Sequence, residues 1–351
     1  MNLSLSLMFA CLATTAQAQG EFDDQRQAYS NLKAEIERTW SDQSLLQEKN
    51  WNQYRDQITK KWSDGIMPAV KTNVIYSADK KSRVRLDYQQ GEVYLELLSD
   101  KKIEHSEASL KLKNILIQNN KLISDQLPSG TAASTKSLGK LIENEGIVHG
   151  NDGQDRQLYR IQIPMVKNHV KIRAKKYLPI VLNLAVKFSL PPALILAIIW
   201  QESSFNPVAR SYIPAFGLMQ IVPKYAGEEV RSALGESIVV DENFLYDAGN
   251  NIRYGAHYLK LLSENHFAQI LNFESRAPFI IAAYNWGPTR LKQKIKQGQF
   301  QFTTARSLKE QIIKIAPAET KDYLSKVISH WKQIENENWF DIPKLSYSNT
   351  Q

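Results

Sequence analysis

One cysteine, Cys11, is the only thiol in this 351-residue chain. It lies in the first segment, so a chain cut after Ala18 would hold no cysteine and no disulfide. His, Cys, Asp and Glu nowhere show zinc or calcium-loop spacing, and no glycine-rich phosphate loop occurs. These absences call for no metal and no cofactor. No RNA-recognition signature, zinc finger or long Lys/Arg tract is present, which argues against nucleic acid as partner. The apolar stretch through Ala13 is short for a membrane span.

What is present is ordinary for a soluble globular protein: 43% apolar and 23% charged residues. The net charge of +8, from 44 basic and 36 acidic residues, favours a polyanionic partner. Nucleic acid, anionic lipid and an acidic cell-wall polymer all satisfy it. From Met1 to Gly20 there is no charge at all, and Ala16-Gln17-Ala18 supplies the small-x-small pattern of a signal-peptidase site. The better reading is an export signal over residues 1–18, although a basic n-region is missing. A buried N-terminal helix is the bland alternative. A lipoprotein acylated at Cys11 is another, weakened by Leu7-Met8-Phe9-Ala10, a poor lipobox. Export places the protein in the periplasm; acylation would add attachment to the outer membrane.

Three zones follow. Glu21 to Trp62 is polar with helical spacing, its stripe being Tyr29, Leu32, Ile36 and Trp40. Alternation then predicts antiparallel strands at Val74–Tyr76, Ser82–Tyr88 and Gly91–Leu97, with Gln89-Gln90-Gly91 as a turn. Helical spacing returns from Ser106 to about Asn119. Leu127–Thr135 and Gly146–Asp155 read as loops near a domain boundary. Gln157–Pro164 alternates again and could pair back onto the first domain. From Val170 to His330 the pattern is helical, with breaks at Pro179, Pro191-Pro192, Pro207, Pro223, Pro278, Pro288 and Pro317. The fold class is therefore α+β: a smaller α+β domain with an antiparallel sheet over residues 21–165, then a mainly helical domain over residues 170–345.

One carboxylate stands apart. Glu202 follows the apolar run Pro192–Trp200 and has no Lys or Arg close in sequence. Desolvation raises a carboxyl pKa, and the negative end of a helix dipole acts in the same sense. A carboxyl kept protonated near neutral pH suits a general acid that breaks a glycosidic bond. In isolation, an acid after an apolar helix is more often a solvated C-terminal residue. Likewise Met219 alone is core filler, and Tyr284 alone is a buried aromatic with a satisfied hydroxyl. Asn251, Gly255, Tyr258 and Leu259 read as packing residues, and His257 and His266 as surface residues.

The order of five phrases outweighs the bland readings. They are Glu202-Ser203-Ser204-Phe205-Asn206-Pro207, Ser211–Ile221 with Gly217-Leu218-Met219-Gln220, Asn251–Leu259, Ala282-Ala283-Tyr284-Asn285-Trp286-Gly287-Pro288, and Pro317–Tyr323. In that register the region from about Lys176 to His330 resembles the soluble-lytic-transglycosylase (SLT) domain, a lysozyme-like fold that cleaves bacterial peptidoglycan. The first domain, with its polar helix and the Asp87–Val93 hairpin, resembles the N-terminal domain of the membrane-bound lytic murein transglycosylase C family.

The resemblance implies cleavage of the β-1,4 bond between N-acetylmuramic acid and N-acetylglucosamine by one carboxylate. Glu202 protonates the scissile oxygen, then as base activates the muramoyl C6 hydroxyl, giving a 1,6-anhydromuramoyl end without water. It also implies roles for named residues. Tyr284 would hydrogen-bond and orient Glu202. Gln220 and the backbone around Met219 would contact the sugar N-acetyl group, with Ser211 near the sugar and Tyr323 lining the cleft. Asn285 adjoins the site but reads better as fixing a turn. A lysozyme-type hydrolase and a non-catalytic glycan-binding scaffold are the alternatives. The partner implied is the peptidoglycan glycan strand, with outer-membrane association. Phe216, where the family often has a smaller aliphatic residue, either reshapes the cleft wall or fills the core.

Overall fold

Residues alternating between apolar and polar build the sheet of the first half. The computed structural model describes residue 27 and residues 45–46, 48–128, 142–298 and 305–340. Strands β1 (Thr72–Tyr76), β2 (Ser82–Asp87) and β3 (Glu92–Ser99) pair antiparallel in sequence. Val84, Leu86, Val93 and Leu95 share a core with Ala108, Leu112, Ile115 and Leu116 of helix α1 (His105–Gln118). The turn predicted at Gln89–Gly91 is present. The Asp87 carboxylate accepts the Gln89 and Gln90 N–H groups at 3.0 and 2.8 Å, and Gly91 turns with φ 71°.

Strands β4 (Ile142–His149) and β5 (Asp155–Pro164) complete a five-stranded sheet in the order β1-β2-β3-β5-β4. Strand β5 does pair back onto β3, from Glu92↔Pro164 to Ser99↔Gln157. One expectation is corrected here: the glycine-bearing stretch read as loop from Gly146 begins inside β4. The β4–β5 register shifts between Asn144 and Ile147, and Gly146 sits in that irregularity with φ 91°. A glycine in a strand marks a bulge as readily as a loop.

Residues 1–60 form one compact unit, whose described part includes a helix over residues 48–59. Lys61–Gln351 form a second unit that holds the sheet and every helix named below. The export segment, Cys11, the Tyr29–Trp40 stripe and residues 341–345 lie outside the described residues.

Helices α2 (His169–Lys175), α3 (Leu178–Phe188), α4 (Pro192–Ser203), α5 (Ala248–Leu261), α6 (Phe273–Trp286), α7 (Ala305–Ile315) and α8 (Ala318–Asn336) dominate the rest. Prolines set three of these starts: Pro179 lies in the first turn of α3, Pro192 opens α4 and Pro317 caps α8. Pro278 corrects a second expectation, because it lies buried inside α6 and does not break it. In the second turn it forfeits one N–H bond, and buried Ala277, Phe279 and Ile280 around it hold the helix. Helix α4 is apolar on every side, and each residue from Ala193 to Ile199 is buried. It packs against α8 and α3.

Two polar clamps tie the sheet half to the end of α4. Buried Arg173 donates from Nε to the Ser204 carbonyl at 2.9 Å and from Nη1 to Gln126 Oε1 at 2.8 Å, with its guanidinium 4.5 Å from the Tyr88 ring centre. Buried Asn206 donates from Nδ2 to the Ala69 and Val70 carbonyls at 3.1 and 3.2 Å. Buried polar groups are mostly bonded, and both clamps hold their segments through such bonds, although Arg173 Nη2 has no partner among the described residues.

Candidate active site

Glu202 occupies the last turn of α4, where an all-apolar helix leaves its carboxyl withdrawn among protein atoms. The residue keeps a half-open edge to solvent. Burial pushes the carboxyl up to about 7, opposed by a hydrogen bond from Tyr323 and the charge of Lys71. The charge of Glu319 adds to the rise. An acid held near neutrality can both give and take a proton at working pH.

The chain leaves α4 in a strained path. Ser204 and Phe205 adopt left-handed φ values of 51° and 63°, and Gln220 at the far end of the loop has φ 48°. Such conformations cost side-chain-bearing residues about 1 kcal/mol or more, and they collect at functional sites. The loop is pinned at many points. Ser203 Oγ donates to the Leu218 carbonyl at 2.7 Å. Asn251 of α5, fully buried, accepts the Met219 N–H at 2.8 Å and donates to the Phe216 and Leu245 carbonyls at 2.8 and 2.9 Å. Gly217 must lack a side chain, since a Cβ there would collide with the Asn251 amide. Gly255 of α5 must lack one too, because Met219 fills that space. Asn251 and Gly255, expected as packing residues, thus pack against the loop rather than a second helix.

The predicted residues fall into two groups. In the first, Glu202 with Tyr323 and Tyr284 with Met219 form two hydrogen-bonded pairs, and the charge of Glu202 reaches the second pair. Tyr323 of α8, buried, donates from its hydroxyl to Glu202 Oε1 at 2.6 Å. Tyr284 of α6 was expected to bond Glu202, yet its hydroxyl donates to the Met219 carbonyl at 2.8 Å. The charge of Glu202 still reaches both tyrosines and, with burial, raises them well above the ordinary phenol range. Gln220 turns its amide nitrogen inward, donating to the Ala209 and Gly217 carbonyls at 3.2 and 2.9 Å. Its Oε1 has no donor among the described residues.

The second group is engaged elsewhere. The Ser211 hydroxyl donates to the Ile213 carbonyl and accepts the Ala215 N–H at 3.2 Å, closing its own turn. Asn285 Oδ1 accepts from buried Thr320 at 2.8 Å, which joins the end of α6 to the start of α8. Phe216 is buried with its ring edge-on to Tyr246 at 5.8 Å, so it fills core rather than cleft. Trp339 is buried and stacks on Trp200 at 5.1 Å, a packing role. A surface hollow of about 390 Å³ lined by Pro179, Ile180, Asn183, Leu184, Gly249 and Arg253 contains none of the predicted residues.

Sequence reading missed two groups that act on Glu202, Glu319 at the start of α8 and Lys71. Lys71 comes from the turn before β1, far upstream, and no local motif could reveal it.

The domain model described as the transglycosylase SLT domain matches residues 180–306, which contain this site apart from Tyr323 and Lys71. The chain is 30% identical over 260 residues to membrane-bound lytic murein transglycosylase C of Mannheimia succiniciproducens, covering 67% of this chain and 72% of that protein. Its counterpart from Actinobacillus succinogenes is 29% identical over 307 residues, 78% of this chain and 85% of that one. The Haemophilus influenzae counterpart is 42% identical over 127 residues, only 36% of either chain, so the match spans about a third of that relative's length. Among solved structures, the lytic transglycosylase Slt of Pseudomonas aeruginosa is 28% identical with TM-score 0.38, covering 46% of this chain and 24% of that one. The 70-kDa soluble lytic transglycosylase of Escherichia coli is 20% identical with TM-score 0.42, covering 68% and 31%. Fold and site together define an α+β protein with an SLT domain. The chain belongs to the membrane-bound lytic murein transglycosylase C family.

Proposed function

We propose that this protein is a peptidoglycan lytic transglycosylase with Glu202 as its acid and base. The observation that carries the reading is the state of that carboxyl, pushed up to about 7 by burial while one tyrosine hydroxyl holds Oε1. Protonated Glu202 gives its proton to the oxygen linking N-acetylmuramic acid to N-acetylglucosamine, and the C1–O bond breaks as oxocarbenium character grows. The substrate's own N-acetyl oxygen stabilises C1. The carboxylate then takes the proton of the muramoyl C6 hydroxyl, whose oxygen bonds to C1. Atoms balance without water, and Glu202 ends protonated. An internal hydroxyl already held near C1 gains effective molarity over a free water.

The other residues supply shape and hydrogen bonds. Tyr323 orients the acid directly. Tyr284 and Asn251 fix the Met219 backbone from its carbonyl and its N–H. The Gln220 amide is spent on the Ala209 and Gly217 carbonyls and its Oε1 is buried, so the N-acetyl contact is carried by the family resemblance alone. Ser211 acts by shaping its turn, and Asn285 by anchoring α8 beneath Tyr323. The relatives are membrane-bound in name, and a periplasmic, membrane-attached location fits the sequence signal. The net charge of +8 suits a polymer bearing carboxylates.

Hydrolysis is the second reading, favoured by one observation: the charge of Glu319, exposed at the start of α8, reaches Glu202. A second carboxylate could activate water. Mass spectrometry of muropeptides released from purified sacculi separates the two. Ends lighter by one water support transglycosylation. Reducing ends would move the protein to the hydrolases, and binding without release would leave only a scaffold.

A further inference from the structure

Lys71 is the cation that reaches Glu202, and its position is built rather than incidental. Arg210, nearer in sequence, is engaged with Glu242 at 3.4 Å. The turn that carries Lys71 is closed by the Ala69–Thr72 backbone pair, at 2.8 and 3.4 Å, and the Lys71 carbonyl accepts the Tyr88 N–H at 3.0 Å. The turn is therefore part of the sheet. From the other side, Asn206 grips the Ala69 and Val70 carbonyls, and Asn206 lies one turn of chain beyond Glu202. Arg173 holds the intervening Ser204 carbonyl. Three backbone anchors thus fix the lysine against the end of α4.

The lysine is half-buried, and burial together with the charge of Lys326 works against its own. The groups that face it are Glu202 of α4 and Asp322, Lys326 and His330 of α8. Asp322 already pairs with Lys326 at 2.7 Å on the surface. His330 stacks on Trp200 at 4.0 Å and is driven down to about 4, so it stays neutral. Among the described residues no carboxylate lies within ion-pair distance of Lys71. A lysine partly withdrawn from water without an ion pair adds little to stability.

We propose that Lys71 is a positioning residue for Glu202, a positive charge that the sheet half of the molecule delivers to the catalytic carboxyl. The inference rests on the reading of Glu202 as the acid. It gives the first half a defined part in the chemistry. When Glu202 has given up its proton, the carboxylate faces one neutral donor, the Tyr323 hydroxyl, and the charge of Glu319, which repels it. Lys71 supplies the compensating field. Without it, desolvation and Glu319 would hold the carboxyl protonated too tightly to release its proton to the leaving oxygen.

The test uses the full chain as wild type, Lys71→Met and Lys71→Arg. Two readouts are taken: the pH profile of muropeptide release from sacculi, and the titration of the Glu202 carboxyl by carbon-13 NMR, assigned with Glu202→Gln. In Lys71→Met the carboxyl midpoint and the alkaline limb should move up together by about 0.5–1 pH unit. Release at pH 6 should fall by up to about tenfold, and Lys71→Arg should restore both. An unmoved midpoint in a folded Lys71→Met protein overturns the proposal, and lost rate alone would then reflect structure. If wild type releases nothing, the enzymatic reading fails, and the NMR midpoint still decides whether Lys71 governs this carboxyl.

Discussion

On β3, Glu96 takes Arg83 Nε on one oxygen at 2.5 Å and Arg160 Nη2 on the other at 2.6 Å. Arg83 in turn holds Asp64 at 2.6 Å and lies 4.0 Å from the Trp62 ring centre. At the end of α4, Glu202 receives one tyrosine hydroxyl and a lysine's field from beyond ion-pair reach. Both carboxyls are withdrawn from water. The sheet half matches its buried acid with two guanidinium groups, one on each carboxylate oxygen. The helical half under-compensates its acid, so the proton sits near balance. Completely paired charge builds structure, and incompletely paired charge keeps a group reactive.

The sharpest way to break this comparison is to neutralise each acid in turn. Glu202→Gln should cut muropeptide release by about 10³-fold. Its melting temperature should hold or rise, because the fold no longer withdraws a carboxyl from water. Glu96→Gln should do the reverse. Arg83 and Arg160 would lose their shared carboxylate, and stability should drop by about 3–5 kcal/mol with turnover per folded molecule kept. Calorimetry and release assays on the same preparations check both. Glu96→Gln protein that melts like wild type would mean that the network around Arg83 carries no stability.

A smaller effect follows from the direction of the Glu202 shift. Its folded pKa is raised from an ordinary 4.5 to about 7, so the folded state holds the proton more tightly. The contribution to stability is complete below 4.5, fades as pH rises, and is lost above about 7. Wild type minus Glu202→Gln should therefore lose about 2–3 kcal/mol of unfolding free energy across that window. Denaturant melts at pH 4.5 and 7.5 measure it. A flat difference would mean that the carboxyl is ordinary.

The legible part of this molecule is the part written in neighbouring residues. An apolar run ending in Glu202 foretold a desolvated carboxyl, because helix burial depends on local pattern. Alternation foretold β1, β2, β3 and β5 for the same reason. Strand β4 was hidden, since Gly146 reads as a loop signal until a partner strand shows the bulge. The exchange between two tyrosines was hidden as well. Tyr284 and Tyr323 lie on different helices, and which hydroxyl meets Glu202 depends on how α6 and α8 pack. Lys71 was beyond reach, because its effect needs the Asn206 clamp to join distant parts of the chain.

That tyrosine exchange supplies the finest test. Tyr323→Phe removes the bond to Glu202 Oε1, which favours the charged carboxylate. The carboxyl should rise above about 7, the alkaline limb of kcat/KM should follow it, and kcat/KM at pH 6 should fall by about tenfold. Tyr284→Phe leaves that bond intact and orphans the Met219 carbonyl instead. It should lower stability by about 1 kcal/mol and leave the limb nearly in place. Side-by-side pH profiles decide the matter. A larger shift in Tyr284→Phe than in Tyr323→Phe would return the orienting role to Tyr284, and the hydrogen bond between Tyr323 and Glu202 would then lack consequence for the proton. The predicted order instead follows from geometry: a donor on the carboxyl tunes its proton, whereas a donor on a neighbouring carbonyl tunes only the loop that carries Met219.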